Sequence, residues 1–106
     1  MVVDLNGFFK PSSVAVVGAS RNPAKVGHVI LKNLIDGGFK GMIFPINPEA
    51  DNILGYRVHS SLVKVSENID LAVIAVPAEL VLETIDECKK KNIKNVRGFL
   101  RKLKTV

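Results

Sequence analysis

The chain has 106 residues, of which 47% are hydrophobic and 24% charged, and its net charge is +5. This length fits one domain with a sizeable core, and the apolar content excludes a disordered chain. No apolar run reaches the roughly 18 residues of a membrane-spanning helix, and Asp4 and Asn6 interrupt any N-terminal signal core. The single cysteine, Cys88, excludes an internal disulfide and is interpreted as a small core residue. We therefore expect a cytoplasmic protein without membrane contact and without a metal site.

The positive charge is concentrated at the C-terminal end. Residues 1–88 hold seven Lys or Arg and all ten Asp or Glu, whereas residues 89–106 hold eight Lys or Arg and no acid. A short lysine-rich end is typical of a solvated surface, so nucleic acid is not the expected partner. We expect one domain over residues 1–106, in which residues 96–106 form an atypical basic C-terminal segment.

The first part of the chain predicts a strand, a tight turn and a helix. Residues 13–17 form a continuous apolar run, typical of a strand covered on both faces, and lead into the small residues 18–20. Apolar residues then recur at helical spacing from Val26 until Gly37 ends the helix. Ahead of this unit, the Phe8-Phe9 pair is expected to pack against the domain edge.

Two further strands are predicted. Residues 42–46 and residues 71–76 are both apolar runs that end at a proline-containing loop. Between them, residues 55–58 predict a short extended segment. Residues 60–65 predict a short helix or turn, capped by one of the two serines that begin it.

The segment 78–91 predicts an amphipathic helix. Its acids come early and its lysines late, which suits the helix dipole. The residues expected to face inward are Val81, Leu82, Ile85 and Cys88, and those expected to face outward are Glu79, Glu83, Asp86 and Glu87.

Strands separated by helices indicate right-handed crossovers and a parallel sheet. The predicted fold class is α/β, a Rossmann-like parallel sheet with flanking helices in three α/β/α layers, truncated at its C-terminal end. In such a sheet, ligands bind at the carboxyl ends of the strands. Here those ends are residues 18–20, residues 46–48 and the pair Val76-Pro77, which we expect to meet at one crevice.

The turn at residues 18–20 predicts a phosphate site. A strand, small residues and a helix start expose backbone N–H groups at the positive end of a helix dipole. Arg21 and Lys25 lie close by in the sequence and supply positive charge. A ligand that carries phosphate is therefore expected.

A dinucleotide such as NAD is the first alternative, and two features weaken it. The sequence Gly18-Ala-Ser-Arg-Asn-Pro23 lacks the second and third glycines of the G-x-G-x-x-G fingerprint. Asn47 also occupies the tip of the second strand, where NAD-binding proteins place an acid for the ribose. Glu49 follows two residues later, so an NAD(P)-binding oxidoreductase or redox sensor stays open as an alternative.

Several segments together resemble one family. These are residues 14–20, Lys25-Val26-Gly27, Pro45-Ile46-Asn47-Pro48 and Asp70 to Pro77, and they are similar to the N-terminal CoA-binding domain of ADP-forming acyl-CoA synthetases, such as acetate–CoA ligase (ADP-forming). The alpha subunit of succinyl-CoA synthetase is a more distant relative. The resemblance covers roughly residues 8–95 in the family's order and spacing.

The resemblance implies that coenzyme A, or an acyl-CoA, lies across the strand ends. Gly18, Ala19 and Ser20 would contact its phosphates, with Arg21, Lys25 and Val26 beside them. Asn47-Pro48 and Val76-Pro77 would frame its adenosine and its pantetheine arm.

Three departures from the family limit what the resemblance implies for function. The family usually has Lys after Asn-Pro, whereas this chain has Glu49. The basic residues 96–106 stand where the family continues with an apolar strand, and the later region that carries the family's catalytic histidine has no counterpart. His28 and His59 match no part of that motif and are interpreted as bystanders. We expect a chain that binds but does not ligate, with no catalytic residues.

Two expectations concern partners. The chain is expected to work with the remaining ligase domains or subunit, and a non-catalytic subunit-interaction module is the second alternative function. A sheet without its fourth strand exposes an edge, which favours a homodimer.

Overall fold

A computed structural model describes residues 10–98, which form a four-stranded parallel sheet between two helices. In chain order the elements are β1 (Ser13–Val17), α1 (Val26–Asp36), β2 (Met42–Ile46), β3 (Asn52–Ile53), β4 (Tyr56–Arg57), β5 (Leu71–Ile74), α2 (Val81–Lys90) and β6 (Asn95–Gly98). The strand order of the sheet is β2-β1-β5-β6, and a separate antiparallel hairpin consists of β3 and β4.

The core has two halves, one on each face of the sheet. Val14 and Val16 of the central strand β1 pack on the side of Leu31 in α1. Ala15 and Val17 pack on the opposite side, which contains Cys88 of α2. All five residues of β1 are buried, as its continuous apolar run predicts. The predicted α/β class with three layers is confirmed.

The register of the sheet brings three strand ends level. Val17 pairs with Ile46 of β2 on one side and with Ile74 of β5 on the other. The three following loops therefore leave the sheet at the same height, at its carboxyl edge.

Strand β5 is shorter than predicted. Ala75 still donates its N–H to the Val17 carbonyl at 2.8 Å, but it lies outside the strand. Pro77 has no N–H to donate, so the chain turns away from the sheet. Residues 78–80 then form a 3₁₀ turn, and α2 begins at Val81 rather than at residue 78.

The predicted inward face of α2 is partly wrong. Leu82 is 78% exposed, whereas Thr84, which the sequence did not single out, is buried. The buried side of α2 follows residues 81, 84, 85 and 88 at helical spacing, and Leu82 lies off this line. Glu87, expected to point outward, is half-buried and accepts a hydrogen bond from the Leu62 N–H at 3.2 Å.

Two smaller segments also differ from expectation. The 3₁₀ turn Leu62–Lys64 follows Ser61, but no serine side chain caps it. The Leu62 N–H donates to Glu87 Oε1. The extended segment predicted at residues 55–58 is the second strand of a hairpin whose turn has positive φ at Leu54 and Gly55. Leu54 is an uncommon residue for such a turn, so the sequence did not predict the hairpin.

Cys88 confirms its interpretation as a core residue. It is buried, and desolvation together with the nearby Glu87 charge raises the pKa of its thiol. The thiol therefore stays protonated and unreactive at neutral pH.

Residues 95–98 form the fourth strand, which pairs in parallel with β5 along its whole length. They include the first residues of the segment that the sequence set apart as basic, and residues 99–106 lie outside the described part. The expected loss of the fourth strand is therefore wrong, and the homodimer that was expected from it stays an untested prediction. The prediction for Phe8-Phe9 also falls outside the described residues. Within residues 10–98, no helix combines the length and apolar character that crossing a membrane requires.

Candidate functional site

A cavity of about 1030 Å³ opens at the carboxyl edge of the sheet. The ends of β1, β2 and β5 form its floor, and the starts of α1 and α2 form part of its walls. The predicted meeting of three strand ends is confirmed. The sequence-predicted site residues that line this cavity are Gly18, Ala19, Ser20, Lys25, Val26, Asn47, Pro48, Val76 and Pro77.

Arg21 is the exception among the predicted residues. It does not line the cavity, and its Nε donates to the Asn52 carbonyl of β3 at 3.2 Å. Two residues in the same loop thus differ in role: Ser20 faces the cavity, whereas Arg21 ties the loop to the hairpin. The expectation that Arg21 supplies charge to a phosphate stays a prediction.

The turn after β1 needs glycine at two positions. Gly18 has φ of +95°, and a Cβ there would lie 2.4 Å from the Ala75 carbonyl oxygen. A Cβ on Gly27, in the first turn of α1, would lie 1.9 Å from the Gly18 carbonyl oxygen. Gly27 thus provides the close helix-to-strand packing that the third glycine provides in a dinucleotide fingerprint, although it lies further along the chain.

The backbone N–H groups available to a ligand are not the ones that the sequence predicts. Gly18 and Ala19 both donate to the Ile46 carbonyl, at 3.0 and 3.2 Å, so their N–H groups stabilise the β1–β2 junction. By contrast, the N–H groups of Ser20, Val26 and Gly27 donate to no acceptor among residues 10–98. A phosphate in the cavity would meet these groups at the positive end of α1.

Side chains hold the loop between β1 and α1 in place. Ser20 Oγ accepts the Asn22 N–H at 3.0 Å, and Asn22 Oδ1 accepts the Ala24 N–H at 2.9 Å. His28 Nδ1 lies 2.8 Å from the Ser20 carbonyl oxygen. Because a carbonyl oxygen only accepts, we assign the proton to Nδ1.

His28 is therefore a residue that sequence reasoning missed. Its side chain is only 8% exposed, and its one hydrogen bond orients the peptide after Ser20. Its interpretation as a bystander is wrong. The only signal in the sequence was its place next to Gly27, on the helix turn that touches the loop.

Asn47 joins two of the three loops. Its Nδ2 donates to the Ala19 carbonyl at 2.8 Å, and its Oδ1 accepts the Glu49 N–H at 2.7 Å. Its own N–H donates to the His59 carbonyl at 2.9 Å. Asn47 thus positions the loops, a different task from the ribose contact of the acid in NAD-binding proteins.

Part of the wall consists of residues that the sequence did not assign to the site. They come from α2, from the 3₁₀ turn before it and from the segment after His59, which hydrogen-bonds alongside the end of β2. Thr84 Oγ1 donates to the Leu80 carbonyl at 2.8 Å, which satisfies a polar side chain at the base of this wall. These added lining residues are Ser60, Ser61, Leu80, Glu83, Thr84 and Glu87.

Comparison with known proteins identifies the kind of domain that carries this site. The family model described as "CoA binding domain" matches residues 12–101. The chain belongs to this family. The resemblance stated from the sequence is confirmed, and the NAD(P) and interaction-module alternatives are not favoured.

The relatives are large ligases. The chain is 46% identical, over 88% of its length, to acetate–CoA ligase [ADP-forming] II of Archaeoglobus fulgidus. It is 40% identical, over 89% of its length, to the alpha subunit of acetate–CoA ligase [ADP-forming] I of Pyrococcus furiosus. It covers 14% and 21% of these relatives, respectively, so it spans less than a quarter of their lengths.

A solved structure shows the same fold. Dinucleotide forming acetyl-coenzyme A synthetase 1 of Candidatus Korarchaeum cryptofilum, in complex with phosphate and ADP, matches 83% of this chain with a TM-score of 0.81 and 46% identity. The match covers 19% of that chain. The fold described above is thus one module of a larger ligase in this relative.

Proposed function

We propose that this chain is the CoA-binding module of an ADP-forming acyl-CoA ligase and binds coenzyme A, or an acyl-CoA, in the cavity at the strand ends. Membership of the CoA binding domain family supports this proposal. The cavity volume of about 1030 Å³ suits a long ligand, because pockets for drug-sized ligands measure roughly 300 to 1,000 Å³.

The observation that carries the proposal is the start of α1. The N–H groups of Ser20, Val26 and Gly27 have no acceptor among the described residues, and the Lys25 side chain lines the same cavity. A diphosphate supplies the acceptors and the negative charge that these groups need. In this pose Ser20, Lys25, Val26 and Gly27 bind the diphosphate, and the prolines Pro48 and Pro77 frame the two arms of CoA.

On its own the chain binds CoA without ligating it. Cys88 is the one cysteine of the sequence, and its thiol is buried and protonated. His28 donates from Nδ1 to the Ser20 carbonyl, and the His59 ring packs edge-on against the Phe44 ring. Acyl and phosphoryl transfer therefore belong to the remaining domains or subunit of a ligase.

Isothermal titration tests the proposal. We expect micromolar CoA binding by the wild-type chain and a Kd raised about fivefold in Lys25→Ala, because an exposed charge-assisted contact contributes a modest free energy of binding. Lys32→Ala is the matched control, since Lys32 lies on the same helix but pairs with Asp36 at 2.6 Å and does not line the cavity. Binding of NADH without any binding of CoA would contradict the proposal.

A further inference from the structure

The charged residues that line the cavity are one cation and three acids. Lys25 precedes α1 and is the cation among the lining residues that the structure describes, whereas Arg21 lies outside the lining and binds the hairpin through its Nε. Glu49, which follows β2, forms one acidic flank, and Glu83 and Glu87 of α2 form the other. The lining thus has one positive centre and two acidic flanks.

The electrostatic potential at each acidic flank stays negative because salt screens the charges that lie further away. The Debye length is about 8 Å at physiological ionic strength, so each part of an open cavity feels its nearest charges most. The lysines of α2 lie in its last turn, away from the cavity, and the Lys91 Nζ donates to the Val65 carbonyl. These lysines therefore do not offset Glu83 and Glu87.

Glu49 is held close to the positive centre. Its N–H donates to Asn47 Oδ1 at 2.7 Å, and Asn47 Nδ2 in turn donates to the Ala19 carbonyl at 2.8 Å. These two bonds fix the backbone of Glu49 beside the turn that follows β1. A ligand arm that leaves the diphosphate toward β2 passes this carboxylate.

We infer that the cavity suits a diphosphate with two arms and gains no affinity from a further phosphate on either arm. This inference rests on the proposed CoA site and specifies its ligand. CoA carries a third phosphate on the ribose 3′ position, on the arm that also carries adenine, whereas dephospho-CoA lacks it. Whichever flank receives the nucleoside arm, a phosphate there lies near a carboxylate rather than a cation. Dephospho-CoA therefore binds at least as tightly as CoA.

The test compares the Kd of CoA with that of dephospho-CoA for each protein, by titration calorimetry in the same buffer. For the wild-type chain we expect a Kd for CoA that is equal to or higher than that for dephospho-CoA. Glu49→Lys and Glu83→Lys place a cation on one flank each, at exposed positions that tolerate the change. The variant that changes the flank of the nucleoside arm should improve the Kd of CoA about fivefold relative to dephospho-CoA.

Glu67→Lys is the matched control, because Glu67 is exposed and does not line the cavity. It makes the same change in net charge, and we expect an unchanged ratio of the two Kd values. A wild-type chain that binds CoA measurably more tightly than dephospho-CoA overturns the inference and leaves the proposed CoA site intact. So does an unchanged ratio in both cavity variants. If neither ligand binds, the proposed site itself is wrong.

Discussion

Two strand-to-helix connections enclose the cavity, and they are built differently. The connection between β1 and α1 is held by side chains from other elements, since Asn47 binds the Ala19 carbonyl and His28 binds the Ser20 carbonyl. The connection between β5 and α2 uses its own backbone, with the Leu80 N–H donating to the Pro77 carbonyl at 2.9 Å.

The difference indicates that the two connections suit different parts of a ligand. A phosphate needs N–H groups in fixed directions, and a network of hydrogen bonds provides that precision. The arm of a ligand needs a surface to lie on, and Val76 with Pro77 provides one without polar groups to align. The first connection should therefore be sensitive to single substitutions in both stability and CoA binding, and the second should be tolerant.

The largest effect is expected for Gly27→Ala. The added Cβ would lie 1.9 Å from the Gly18 carbonyl oxygen, which is backbone and cannot swing away. We expect the free energy of unfolding to fall by about 3 kcal/mol, the upper end of the usual cost of overpacking. Urea denaturation followed by circular dichroism measures it.

Gly98→Ala is the matched control, because nothing lies within 4 Å of the position where its Cβ would be. We expect its unfolding free energy to stay within about 0.5 kcal/mol of wild type. Similar losses in both variants would mean that α1 does not press against the turn as described.

A smaller effect is expected for Asn47→Ala. The change removes the hydrogen bonds to the Ala19 carbonyl and to the Glu49 N–H, and each is worth about 1 kcal/mol. We expect a loss of about 2 kcal/mol in unfolding free energy and a raised Kd for CoA. Denaturation and calorimetry on the same samples measure both.

Asn33→Ala serves as its control. Asn33 is exposed on α1, and its side chain makes no hydrogen bond within the described part of the chain. Since Ala forms helices better than Asn, we expect slightly higher stability and an unchanged Kd. An Asn47→Ala variant as stable as wild type would contradict the role of Asn47 in joining the two loops.

The smallest of the three effects is expected for His28→Ala. Loss of the bond to the Ser20 carbonyl should cost about 1 kcal/mol of stability and raise the Kd for CoA roughly threefold, because the peptide after Ser20 loses its orientation. Pro77→Ala, in the other connection, should leave the Kd within about twofold. Equal effects of the two changes on CoA binding would contradict the division between the connections.

The strands of the core and the place of the site could be predicted from the sequence, because both depend on local patterns. The bounds of β1 and β2 follow from apolar runs that end at small residues or proline, and parallel topology brings their ends together. The phase of α2 could not be predicted, since the 3₁₀ turn after Pro77 delays the start of the helix and leaves Leu82 exposed.

The hydrogen bonds within the site also could not be predicted from the sequence. The Gly18 and Ala19 N–H groups donate to the Ile46 carbonyl because of the register between β1 and β2. The path of the loop between β1 and α1 determines two further hydrogen bonds. One joins His28 to the Ser20 carbonyl, and the other joins Arg21 to the Asn52 carbonyl. Contacts of this kind are fixed by tertiary packing, which a spacing pattern does not report.

The most direct test of the central claim follows the backbone amide signals of a ¹⁵N-labelled chain by NMR during titration with CoA. If the start of α1 binds the diphosphate, the Ser20, Val26 and Gly27 signals shift most. The Gly18 and Ala19 signals shift less, because their N–H groups already donate to the Ile46 carbonyl. Shifts that are largest on α2 or β6, with the start of α1 unchanged, would contradict the claim.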